Sequence, residues 1–154
     1  MCWSSFSKPE LKVAEDNIPV TKIVKIIYGD IRAYYMEVKY SIGKTYHFKR
    51  ELESELLFPE LFPPDGSYYR ITEGFHSYKS SCPIDSKISL YTTLNVGYPA
   101  HDSRILAQYS MICNSYRTLG IMSCIIPKGS KYYENEDGEI VSEAIKPIYC
   151  YKIK

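Results

Sequence analysis

Short runs of β-branched and aromatic residues, each stopped by a glycine, proline or Asn/Asp step, recur from Pro19 to the C-terminus. Branched and aromatic side chains fit a pleated surface, and short breaks between runs allow only tight connections. A chain so punctuated folds as a meander of antiparallel strands rather than as alternating βαβ units. Residues 20–28 form the first run and residues 31–40 resume it after Gly29-Asp30, which reads as a hairpin. Residues 44–49 give a third strand after the break at Ser41-Ile42-Gly43. Residues 67–72 and 75–79 flank the Glu73-Gly74 turn, and residues 87–94 are a further strand. Residues 121–126 read as a buried strand ended by the Pro127-Lys128-Gly129 turn. Residues 131–133 and 139–141 bracket the polar turn Asn135-Glu136-Asp137-Gly138, and residues 145–153 close the series. Pro147 marks an edge or a bulge in that last strand.

Two segments break the pattern. Leu52, Leu56 and Leu57 make an apolar stripe over residues 50–58, which predicts a short helix. Ile105, Leu106, Tyr109, Ile112 and Cys113 predict a second, capped by Asp102 or Ser103. The expected class is therefore α+β: a mainly antiparallel, strongly bent sheet with one or two short helices. Residues 1–18 read as an irregular lead-in and residues 19–154 as a single domain, with Trp3 and Phe6 tucking onto it.

The charge balance narrows the partners. A formal net charge of +1 over 154 residues gives no global field to gather duplex nucleic acid or an anionic membrane. No apolar run is long enough to span a bilayer, and the first six residues are too polar for a signal peptide, so a cytoplasmic protein is expected. Five cysteines at wide spacings, with no C-x-x-C pair, suit neither a disulfide framework nor a zinc site. Cys113, Cys124 and Cys150 sit among apolar neighbours and read as core thiols. No cofactor is indicated.

Tyrosine supplies the functional signal: 16 residues, about three times the ordinary share. A tyrosine joins a flat apolar face to one hydroxyl, the combination favoured at binding surfaces. Many of these residues come as doublets, Tyr34/Tyr35, Tyr68/Tyr69 and Tyr132/Tyr133, which on a strand put one ring on each face. Arg70 follows Tyr69 and Lys131 precedes Tyr132; aromatics beside cations can stack a base while neutralising phosphate. His76, in Glu73-Gly74-Phe75-His76-Ser77-Tyr78-Lys79, is the most suggestive histidine, sharing a strand face with Tyr78. His76, Tyr78, Tyr69, Arg70, Lys131 and Tyr132 are thus the expected ligand-binding residues. No nucleophile elbow, phosphate loop or dinucleotide fingerprint is present. No catalytic residue is assigned.

The segments Gly74-Phe75-His76-Ser77-Tyr78 and Cys124-Ile125-Ile126-Pro127-Lys128-Gly129-Ser130-Lys131-Tyr132-Tyr133, with residues 138–145, resemble small uncharacterised proteins of gut Bacteroidales and their phages. The resemblance implies an origin more than an activity. The strand followed by Pro-x-Gly-Ser is also similar to a late hairpin in ADP-ribosyltransferase folds. That similarity implies Glu139 or Glu143 as catalytic glutamate and His76 at the nicotinamide, although neither glutamate belongs to an E-x-E pair. The leading expectation is a non-enzymatic binding protein that captures a nucleotide-type immune signal or blocks a host defence protein. The alternatives are an NAD-using enzyme of the ADP-ribosyltransferase kind and a homo-oligomer joined through tyrosines.

Overall fold

The computed structural model describes residues 3–33, 38–57, 68–80 and 117–152. Among them the regular structure is entirely β, and no helix is present. The strands are β1 (Trp3–Ser5), β2 (Lys12–Val13), β3 (Ile18–Ile27), β4 (Asp30–Ala33), β5 (Lys39–Tyr40), β6 (Tyr46–His47) and β7 (Glu55–Leu57). They continue with β8 (Tyr68–Ile71), β9 (Phe75–Lys79), β10 (Arg117–Ile126), β11 (Lys131–Glu134), β12 (Glu139–Ser142) and β13 (Ala144–Lys152).

Among the described residues the expected α+β class gives way to an all-β one. Residues 51–54 are irregular where a helix was expected, and 55–57 are strand β7. Backbone pairing decides the matter: Glu55 lies opposite Arg70, Leu56 opposite Tyr69 and Leu57 opposite Tyr68. A single leucine stripe gives a helix little to hold it, and a waiting strand edge overrides so weak a local preference. The second helix, the strand at 87–94, Tyr34/Tyr35 and Cys113 lie outside the described residues. Among the described residues, no helix is long and apolar enough to cross a membrane.

The chain forms two compact units, each assembled from separate stretches. The first takes residues 1–22, 41–82 and 122–150. It contains an antiparallel sheet of order β1-β8-β7 and a larger set of order β2-β11-β12-β9-β3, with β10 and β13 leading on to β6. Residues 3–5 of the lead-in are thus a strand, and Trp3 on it is only 1% exposed. Trp3 packs with Leu52, Ile71, Tyr133 and Val141, flanked by Phe48. Its ring lies 6.2 Å from that of Tyr133 at 50°, and its Nε1 donates to the Glu139 carbonyl at 2.9 Å. One indole thereby joins the small sheet to strands β11 and β12. Asn135 adds a second tie. Its Oδ1 accepts from the Asp137 and Glu139 amides, closing the β11–β12 turn, and its Nδ2 donates to the Ser4 carbonyl at 2.8 Å.

Gly74 enters β9 with a φ of 110°. A Cβ there would meet Leu52 Cδ2 at 2.7 Å and the Ser142 carbonyl oxygen at 3.3 Å. Gly74→Ala combines backbone strain with overpacking and is expected to remove roughly 2–3 kcal/mol of stability. Urea unfolding measures this, and an unshifted midpoint would refute the steric account.

The second unit takes residues 23–40, 83–121 and 151–154. Its described part includes a meander of β3, β4 and β5, with Ile27 opposite Asp30 and Ile31 opposite Tyr40. The expected hairpin is present, and its turn falls on Tyr28-Gly29, one residue earlier than the Gly-Asp step suggested. Both residues have positive φ, 50° and 82°, as a two-residue turn of the I′ kind requires. Val24, Ile26, Ala33 and Tyr40 bury one face of the meander. The register places Lys25, Arg32 and Lys39 on the other.

Candidate functional site at the end of the β3–β9 ladder

Strand β9 begins at the Gly74 turn and places alternate side chains on opposite faces. Thr21, Tyr78 and Glu139 form one cross-strand row, and His76 and Val141 form the next on the same face. Tyr133 extends that second row through its pairing with Val141. Phe75, Ser77 and Lys79 occupy the opposite face.

The β3–β9 ladder is brief. It pairs Val20 with Lys79 and Thr21 with Tyr78, then stops. The Lys79 amide donates to the Gly138 carbonyl, on the side of β12. Alternation of the backbone then turns Tyr78 and His76 toward β3. The His76 carbonyl, next in line for a β3 amide, instead accepts from Lys22 Nζ at 2.5 Å. A side-chain amine thus substitutes for a missing ladder donor at the point where the two strands part.

Lys22 is only 9% exposed. Burial pulls its pKa from 10.5 to about 8, and the neighbouring Cys124 sulfur works weakly in the other direction. At neutral pH the amine is therefore still mostly charged. Among the described residues it has no carboxylate partner, only the one carbonyl. His76 responds to the same surroundings. Burial, then the Lys22 charge, lowers its pKa to about 4, partly offset by a 3.2 Å bond between Nε2 and the Thr72 carbonyl. The imidazole is thus neutral at pH 7. With Nε2–H on Thr72, its Nδ1 is left as an acceptor. The Cys124 thiol is pushed up to about 12, chiefly by burial, and contacts the Met122 carbonyl; it is no nucleophile.

The residues expected to bind ligand divide among three places. His76 and Tyr78 share the face just described. Tyr132 pairs with Ser142, which itself pairs with Phe75, so its row lies on the opposite face. Lys131 precedes it on β11 and so shares the face of Tyr133 and His76, and its amide donates to Glu143. Tyr69 and Arg70 belong to β8 in the smaller sheet, where Arg70 bridges Glu55 at 2.8 Å. Sequence reasoning missed Lys22. A lysine inside a β-branched run reads as a solvated face, and nothing local marks it as buried.

Compared with family models, with curated proteins and with solved structures, the chain finds no match in any of the three. A buried ammonium facing one carbonyl is an incompletely compensated charge, and such a group favours an anion beside it.

Proposed function

We propose that this protein is a non-enzymatic binding protein that captures an anionic, nucleotide-type small molecule beside β9. The observation that carries the reading is the buried Lys22 amine on the His76 carbonyl. In this arrangement Lys22 meets the anionic group, and the neutral His76 offers Nδ1 to a donor on the base. Tyr78 and Thr21 lie on the His76 face, whereas Lys22, the residue after Thr21 on β3, starts from the opposite face and reaches the His76 carbonyl at the gap between the strands. The resemblance to phage proteins supports a counter-defence setting, in which the captured molecule is an immune signal of the host cell.

Calorimetry against a panel of cyclic and ADP-ribose-type nucleotides tests this. At least one is expected to bind, and Lys22→Met is expected to weaken it tenfold or more, about 1.4 kcal/mol. Failure of every nucleotide to bind would end the proposal and favour the blocking of a defence protein.

One observation favours a second reading. Glu139 lies on the His76 face, one row away, as an NAD-using enzyme with a catalytic glutamate would need. Nicotinamide release from NAD, lost in Glu139→Ala, would replace binding with catalysis.

A further inference from the structure

The register of the β3–β4–β5 meander sets Lys25 directly opposite Arg32, and Arg32 directly opposite Lys39. Cross-strand partners share a face, so three cations stand in one row across three strands. Like charges directly opposite one another destabilise a sheet. Asp30 relieves part of this, bridging Arg32 at 3.5 Å and Lys39 at 3.1 Å. These bonds, with Lys39 first, hold its carboxyl below the usual range. Lys25 has no ion pair among the described residues, so the row keeps more positive than negative charge. The Arg32 and Lys39 side chains are 45% and 60% exposed. At the tip of the same hairpin stands Tyr28, 81% exposed and at positive φ, where glycine or asparagine is the easier choice.

We propose that the row Lys25–Arg32–Lys39, with Tyr28 at its end, is a binding surface for single-stranded nucleic acid. Neighbouring strands are about 4.8 Å apart, so the charges form a line rather than a cluster. A line suits a linear polyanion. The exposed ring adds the stacking platform that single-strand binders combine with a basic track. An acidic peptide would use the cations but have no base to stack on Tyr28. The proposal uses a different unit from Lys22 and His76, so it stands or falls separately from nucleotide capture.

Fluorescence anisotropy with labelled oligo-dT and oligo-rU, over a salt series, is the test. Three phosphate contacts predict a log–log salt slope of about −2, at about −0.7 per contact. Arg32→Gln with Lys39→Gln changes only exposed side chains. It is expected to weaken binding at least tenfold and to flatten the slope by about 1.4. Tyr28→Asn retains a residue that accepts the turn, and should weaken binding several-fold with the slope unchanged. No binding at low salt, or an unchanged slope in the double variant, overturns the proposal. So does tighter binding of a duplex, or of heparin with no dependence on Tyr28.

Discussion

Trp3→Ala is expected to lower unfolding stability by about 4 kcal/mol, the usual cost of emptying a fully buried indole site. The change removes packing against Leu52, Ile71, Tyr133 and Val141 together with the bond to the Glu139 carbonyl. Native domains hold only about 5–15 kcal/mol in reserve, so the variant should be close to unfolding at physiological temperature. Trp3 is the only tryptophan, so the measurement needs far-UV circular dichroism in urea rather than fluorescence. Trp3→Phe should recover part of the loss by refilling the space without the N–H. A loss under about 1 kcal/mol for the alanine variant would mean that β1 is not part of the folded core.

Lys22→Met is expected to act in the opposite direction and to do so as a function of pH. A lysine with a folded pKa of about 8 against 10.5 unfolded binds its proton less well in the native state. Between those values the unfolded chain holds more protons, so stability rises with pH through that window. Below pH 8 the full cost is present, roughly 3 kcal/mol at about 1.4 per unit. Methionine removes it, while leaving the His76 carbonyl without its partner costs back about 1 kcal/mol. The variant should therefore be about 2 kcal/mol more stable at pH 7, with the advantage shrinking as pH rises from 8 toward 10.5. Parallel urea titrations across that range give the difference directly, and a gap independent of pH would show that Lys22 is not desolvated. A variant that gains stability while losing nucleotide affinity would show the stability–activity trade-off of a binding group, which is the link between this measurement and ligand capture.

Much of the strand pattern was legible because it is local. Gly29, Gly74 and Gly129 mark real turns, each at positive φ, and the runs between them carry the alternation that a sheet needs. Residues 50–58 were misleading for a non-local reason. Their leucines fit a helical stripe, but β7 is specified by β8, and Leu52 by its place against Trp3 and Gly74. The site divides in the same way. That His76 and Tyr78 share a face follows from strand periodicity alone. The positions of Tyr132 and Tyr69 depend on register and on sheet membership, which no run of neighbours encodes. Lys22 depends on where the β3–β9 ladder ends, which is set by the divergence of two strands more than fifty residues apart.

Strands β2 and β6, at the two ends of the first unit's strand order, are each only two residues long. Short outer strands offer few free amides and carbonyls to a second chain. On β2 one of the two residues is Lys12, held by Glu134, which would place a charge at any incoming strand. Among the described residues, both ends of this larger strand order are thus guarded against templated fibre growth. Lengthening β2 with apolar residues, rather than loosening the core around Trp3, is the change that would turn this protein toward aggregation.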